Sequence, residues 1–119
     1  MELIIGGAYQ GKRAWAIEHF GLDEAEICTC TADRLPDRSC RCVDRLEEYV
    51  RGCVRRGEAP DPDFRKDAVL ICREIFSGVV PLDPETRLWR EETGRFLALL
   101  SRRADHVTRL FCGLPQVLK

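Results

Sequence analysis

Leu3-Ile4-Ile5-Gly6-Gly7-Ala8-Tyr9-Gln10-Gly11-Lys12-Arg13 is the stretch that decides the fold of this chain. A short apolar run ends at two glycines, and the segment after Lys12 places Trp15, Ile17 and Phe20 among charged neighbours. This order predicts a strand, a glycine loop and a helix, with Gly21 as the helix end.

The loop fits the phosphate-binding pattern G-x-x-x-x-G-K and departs from it only at the final position, where Arg13 replaces Ser or Thr. Backbone N–H groups of such a loop wrap phosphate oxygens, while the lysine and the helix dipole add positive charge. The pattern predicts binding of GTP or ATP by Gly6, Gly7, Ala8, Tyr9, Gln10, Gly11, Lys12 and Arg13. Arg13 removes the hydroxyl that ordinarily holds Mg²⁺, so the sequence does not predict an ordinary magnesium site. The alternative is that the glycines only make a tight turn.

Strands and helices alternate along the rest of the chain. Apolar residues recur at helical spacing over 43–56, and the uninterrupted apolar run over 68–72 is typical of a central parallel strand. The predicted elements are a strand at 27–31, a loop at 33–39, a helix at 43–56, a strand at 68–72, a loop at 77–81, a helix from 84 to about 103 capped by Asp83, and a last strand at 106–112. This alternation predicts an α/β layer fold in one domain, residues 1–119.

The composition narrows the class of protein. The chain has 119 residues, of which 45% are apolar and 33% charged, and its formal net charge is −1. These values argue against disorder and against nucleic acid as a partner. The N-terminus enters a strand without a basic leader or a long apolar stretch, so we expect a cytoplasmic protein without a membrane partner.

Seven cysteines are an odd number, which favours reduced thiols over a disulfide framework. Four of them form two pairs, Cys28-x-Cys30 and Cys40-x-Cys42, and four thiolates make a tetrahedral zinc site in some proteins. Structural zinc pairs more often have the spacing C-x₂₋₄-C. We therefore expect buried apolar thiols and no metal, with a thiol-metal site as the alternative.

Three further segments are informative together with the loop. Arg73-Glu74-Ile75-Phe76-Ser77-Gly78-Val79-Val80-Pro81 is similar to N-E-V-G-x-G-I-V-P, with arginine in place of asparagine. Arg87-Leu88-Trp89-Arg90-Glu91-Glu92-Thr93-Gly94 is similar to R-x-F-R-D-x-x-G, and Gly113-Leu114-Pro115-Gln116-Val117-Leu118-Lys119 matches G-L-P-x-x-L-K. In this order the segments resemble the adenosylcobinamide kinase/adenosylcobinamide-phosphate guanylyltransferase family. In the middle, Cys30-Thr31-Ala32 and Val43-Asp44-Arg45-Leu46 resemble its A-T-A and V-D-C-L segments.

This resemblance implies a three-layer fold like that of the P-loop nucleoside triphosphate hydrolases, with a short, mainly parallel sheet. It implies ATP- or GTP-dependent phosphorylation of adenosylcobinamide in cobalamin biosynthesis, a corrinoid as partner, and a small homo-oligomer. Lys12 would neutralise phosphate charge and Glu74 would position metal or substrate, as the catalytic residues. The family's guanylylated histidine has no counterpart, because His19 and His106 do not match its position. We therefore expect guanylyl transfer to be lost.

The same residues are compatible with other interpretations of their function. A non-catalytic relative would bind a nucleotide or a corrinoid as a regulator or partner subunit, and Glu74 would then be a surface acid. Asp44 is expected to be a helix-cap acid rather than a functional one. The helix over 84–103 carries three arginines that suit either phosphate binding or a solvated face, and an exposed Trp89 that suits a subunit interface. These arginines are Arg87, Arg90 and Arg95.

Overall fold

The computed structural model describes residues 1–75 and 82–119. These residues form an α/β fold with six strands and three helices. The elements are β1 (Glu2–Gly6), α1 (Lys12–Phe20), a single 3₁₀ turn (Glu24–Glu26), β2 (Ile27–Thr29), β3 (Cys42–Asp44), α2 (Leu46–Arg56), β4 (Val69–Arg73), α3 (Pro84–Arg103), β5 (His106–Phe111) and β6 (Leu114–Val117). The predicted α/β class is confirmed. The predicted loop at 77–81 lies outside the described residues.

The strands form one mixed sheet in the order β2-β3-β4-β1-β5-β6. Neighbours from β2 to β5 pair in parallel, and β6 alone runs antiparallel to β5. The N-terminal strand therefore lies between β4 and β5, two strands that come much later in the chain. The carboxyl ends of β1, β3 and β4 meet at one edge of the sheet, where α/β folds commonly bind ligands.

Helices cover both faces of the sheet, because alternate residues of a strand point to opposite sides. Leu3 of β1 packs into the larger core cluster with residues of α2 and α3. Ile4, the next residue, packs into the smaller cluster with Ala16 of α1. The continuous apolar run of β4 is divided in the same way, with Leu70 on the α2 and α3 side and Ile71 on the α1 side. The arrangement has three layers.

Most of the predicted boundaries are confirmed. Helix α1 ends at Gly21, whose φ of 62° is the left-handed conformation that glycine adopts readily. Helix α3 begins with Pro84 behind Asp83, whose side chain accepts a hydrogen bond from the amide of Thr86.

Three predicted elements differ from the structure. The helix expected over 43–56 begins at Leu46, because Val43 belongs to β3. Arg45, between strand and helix, has a left-handed backbone conformation with φ 57°. The strand expected over 27–31 is limited to Ile27–Thr29, which pairs with β3 alone over three residues. The strand ending near Cys112 is not the last one, since β6 follows it after a two-residue turn.

The expected exposed Trp89 is wrong. Its ring is only 6% exposed and packs in the core cluster between α2 and α3. The indole Nε1 donates to the carbonyl oxygen of Glu47 (2.7 Å), and the guanidinium of Arg51 lies 4.1 Å from the ring centroid. Leu88, the preceding residue, is exposed. Trp89 joins two helices of one chain and is not available as a subunit interface.

Candidate functional site

The glycine loop joins the end of β1 to the start of α1 and folds back on itself. Two residues have left-handed backbone conformations, Tyr9 with φ 59° and Gly11 with φ 83°. Lys12, the first residue of α1, extends across the loop, and its Nζ donates to the carbonyl oxygen of Gly7 at 2.6 Å. The ammonium group is thus held above the loop backbone. The first N–H groups of α1 face the same space, since a helix leaves its first turn without internal acceptors.

The β5–β6 hairpin supports this loop from the other end of the chain. Its turn residues Cys112 and Gly113 both have positive φ, as a type I′ turn requires. The amide of Gly113 donates to the carbonyl oxygen of Gln10 (3.1 Å), and the amide of Cys112 donates to the Gln10 side chain. The hairpin tip therefore fixes the middle of the loop.

An open cleft of about 510 Å³ lies against the loop. Six of the eight predicted binding residues line it, Ala8 to Arg13, whereas Gly6 and Gly7 do not. The other charged lining residues come from β3, α2 and β4: Asp44, Arg45, Glu47 and Arg73. The cleft thus brings four cationic side chains together with two carboxylates. Such an excess of positive charge attracts anionic ligands.

Asp44 is the buried carboxylate at the end of β3, with 7% of its surface exposed. Its Oδ2 accepts a hydrogen bond from Arg13 Nη1 (3.2 Å), and its Oδ1 accepts one from the amide of Arg45 (2.7 Å). The expectation that Asp44 caps a helix is wrong, because Arg45 is the residue at the N-terminal cap of α2. Asp44 is instead the last residue of strand β3. Asp44 faces the loop as a functional candidate.

Arg13 connects the start of α1 to the neighbouring strands. Besides Asp44, its guanidinium contacts Glu24 Oε2 at 2.6 Å through Nη2 and Thr29 Oγ1 at 3.4 Å through Nη1. Two carboxylates from different elements therefore hold one guanidinium in place, in the charge-assisted geometry that arginine favours.

Glu47 is a site residue that the sequence did not reveal. It is 2% exposed in the first turn of α2, and its Oε1 accepts a hydrogen bond from the amide of Arg73 at 2.9 Å. Its Oε2 lies 3.9 Å from Arg45 Nε. Because Glu48 is a second glutamate directly after it, no local pattern distinguishes the buried acid from its partly exposed neighbour.

The charge of Lys12 is balanced by opposing effects. Burial of the side chain lowers the pKa of Lys12 below its ordinary value, while the nearby carboxylates of Glu47 and Asp44 raise it again in part. An anionic ligand in the cleft would add to the carboxylate effect and favour the charged ammonium.

Glu74 directly follows β4, and its carboxylate contacts β5 rather than lining this cleft. Its amide donates to the carbonyl oxygen of Gly6 (2.8 Å), and its carboxylate pairs with Arg109 of β5 at 3.3 Å. Glu74 is not among the described residues that line the cleft. The structure therefore brings Lys12 together with Asp44 and Glu47 rather than with Glu74. The family-like residues that follow, 76–81, lie outside the described part of the chain.

The cysteines are all free thiols. Burial raises the pKa values of Cys30 and Cys42 to about 12, which keeps both thiols protonated. Among residues 1–75 and 82–119, no group of three or more His, Cys, Asp or Glu side chains is arranged to hold a metal ion. The arginines of α3 do not line the cleft in the described structure, and Arg95 pairs with Glu92 instead.

Comparison of the sequence with protein-family models and with curated proteins gives no match. In the described part of the chain, none of the helices combines the length and apolar character needed to cross a bilayer.

Proposed function

We propose that this chain binds the phosphate groups of GTP or ATP in the cleft, through a fold of the P-loop type. The observation that carries the proposal is the position of Lys12: it begins the helix after the glycine loop, and its Nζ lies 2.6 Å from the Gly7 carbonyl oxygen. A phosphate group entering the loop would replace this carbonyl as the partner of the ammonium group.

The rest of the cleft suits the same ligand. Phosphate oxygens accept hydrogen bonds from loop and helix N–H groups, and the positive end of the α1 dipole favours their charge. Arg45 and Arg73 add cationic groups at the cleft wall. Guanidinium groups bind phosphate in a bidentate manner, which makes them suitable partners for a phosphate chain.

The sequence resemblance supports a setting in cobalamin biosynthesis, with adenosylcobinamide as the phosphate acceptor. In that reaction Lys12 would stabilise the negative charge of the transferring phosphoryl group, and Glu74 would position the substrate from its place beside Arg109. Guanylyl transfer is not part of the proposal, because the chain lacks a histidine at the required position. A cytoplasmic homo-oligomer remains part of the proposed setting.

One observation favours a second function, binding without catalysis. In a P-loop site a carboxylate at the end of a strand helps to hold Mg²⁺, and Asp44 would be that carboxylate, but its Oδ2 already binds Arg13. Arginine stands in place of the metal-binding hydroxyl, and it also pairs with this carboxylate. Both features are compatible with a regulator or partner subunit that binds a nucleotide or a corrinoid without turnover.

Calorimetric titration with GTP and ATP tests the proposal. In Lys12→Ala we expect the affinity to fall about 10- to 100-fold, since a hydrogen bond to a charged group is lost. Lys66→Ala is the matched control, because Lys66 is exposed and does not line this cleft. Absence of binding, or equal binding by both variants, would refute the proposal. Turnover of adenosylcobinamide by the wild type would then distinguish a kinase from a binding protein.

A further inference from the structure

The residue after the loop lysine has a defined role in P-loop proteins. A Ser or Thr hydroxyl at that position and an Asp at the end of a nearby strand together hold Mg²⁺, which bridges the outer phosphates. Here the two positions are occupied by Arg13 and Asp44, and their side chains are joined directly, Nη1 to Oδ2, at 3.2 Å. This donor set does not fit a magnesium ion, because one of its two oxygen ligands is replaced by a cation.

Arg13 is fixed in this position rather than displaced from it. Glu24 holds the other end of the guanidinium at 2.6 Å, and Thr29 contributes a third partner. A guanidinium group does not lose its proton at any physiological pH, so its positive charge is permanent. A divalent cation next to Asp44 would have to displace this charge or lie beside it, and both are unfavourable.

The cleft lining carries more basic than acidic side chains. Four basic residues, Lys12, Arg13, Arg45 and Arg73, line the cavity together with the two acids Asp44 and Glu47, and Glu24 also pairs with Arg13. In most phosphate-transfer sites, the metal supplies much of the positive charge that the phosphates need. In this cleft, basic side chains would supply that positive charge.

We propose that Arg13 takes the place of the divalent cation, so that the cleft binds a nucleoside triphosphate in its metal-free form. The inference rests on the proposed nucleotide binding and specifies the state of the ligand. It also makes a cation at the last loop position compatible with phosphate binding, because two carboxylates hold Arg13 at the wall of the cleft.

The test is titration of the wild type with GTP and ATP in EDTA and again in millimolar Mg²⁺. We expect the two dissociation constants to agree within about threefold, whereas a magnesium-bridged site would lose at least about tenfold in EDTA. A dependence of that size in the wild type would overturn the inference and leave nucleotide binding intact. No binding in either buffer would overturn the proposed function and this inference with it. The comparison uses the wild type alone and does not depend on any variant folding.

Arg13→Ser restores the hydroxyl and frees Asp44. We expect this variant to gain magnesium-dependent binding of at least about tenfold and to bind Mn²⁺, measured by electron paramagnetic resonance, where the wild type does not. Arg55→Ser is the control, because it breaks a comparable surface ion pair with Glu85 far from the loop. If Arg13→Ser folds, as judged by circular dichroism, and remains insensitive to Mg²⁺, Arg13 is not the substitute for the metal.

Discussion

Gly6 and Gly7 are adjacent in the loop, yet the structure predicts opposite effects for the same substitution. A Cβ added to Gly6 would lie 2.6 Å from the carbonyl oxygen of Leu110, its partner in β5. A Cβ added to Gly7 would find only the Gln10 side chain, at 3.7 Å. Gly6→Ala therefore forces the new methyl group against a backbone carbonyl at the end of β1, whereas the methyl group of Gly7→Ala lies in free space.

The magnitude follows from these distances. Relief of the Gly6→Ala contact requires a shift of about 0.8 Å between two paired strands, and overpacking of this kind costs about 1–3 kcal/mol. Gly7→Ala loses no contact and restricts the unfolded chain, which adds about 0.4–1 kcal/mol of stability. At about 4 °C per kcal/mol, the melting temperatures of the two variants should differ by roughly 6–16 °C.

Urea unfolding is the suitable assay, because Trp15 on α1 and Trp89 against α2 report from opposite faces of the sheet. We expect coincident transitions from fluorescence and circular dichroism, with a lower midpoint for Gly6→Ala and an unchanged slope. Since Gly6 is the first residue of the glycine loop, its variant should also lose the proposed nucleotide affinity. If the two variants unfold within about 0.5 kcal/mol of each other, the close approach of β1 to β5 at Gly6 is wrong.

Three further predictions concern the elements that surround the site. Gly52→Ala in α2 should destabilise the protein by about 1–3 kcal/mol, because its Cβ would lie 2.5 Å from the carbonyl oxygen of Ala32. Gly94→Ala in α3 meets open space and should stabilise the protein by about 1 kcal/mol. The urea midpoints of the two variants should therefore move in opposite directions. Trp89→Phe should cost about 1–3 kcal/mol, since it leaves a buried carbonyl oxygen without its donor, and a loss below about 0.5 kcal/mol in the same assay would contradict that role. Hydrogen bonds from a threonine side chain and amide lower the pKa of Asp83 below 3.8, so its stabilisation is present above that pH and is lost as the pH falls through the folded-state value. The melting-temperature advantage of the wild type over Asp83→Asn should accordingly shrink on acidification, and a constant difference would refute the assignment.

The sequence was most informative where one local signal was sufficient. The glycine loop, the end of α1 at Gly21 and the start of α3 at Asp83 each depend on a cap or a turn within a few residues. The apolar run of β4 also identified a strand covered on both faces, because no exposed face interrupts it.

The errors occurred where tertiary pairing overrides local pattern. Val43 and Leu46 are three residues apart, as in one helix, although the first lies in β3 and the second begins α2. No strand was predicted after residue 112, but Leu114–Val117 forms the edge strand β6, where Pro115 is tolerated.

The residues of the cleft were likewise only partly predictable from local sequence patterns. Lys12 was predicted from its motif, whereas the importance of Asp44 depends on where β3 ends relative to the loop. Glu47 could not be found because its burial depends on α3 and β4, through Trp89 and the Arg73 amide. Trp89 itself was misjudged because its neighbours in sequence, Leu88 and Arg90, are exposed and half-buried, whereas Trp89 is buried in the core.

The contact between the hairpin tip and Gln10 sets the time at which the binding loop can form during synthesis. The loop is made first, but its support at Cys112 and Gly113 is made last, and β1 has no paired neighbour until β4 has followed. At about 5–20 residues per second, the 7–113 interval corresponds to a delay of roughly 5–20 s. During that interval the glycine segment is present without these contacts, so a ribosome-bound chain that stops before residue 112 should lack the supported loop on which the proposed nucleotide site depends.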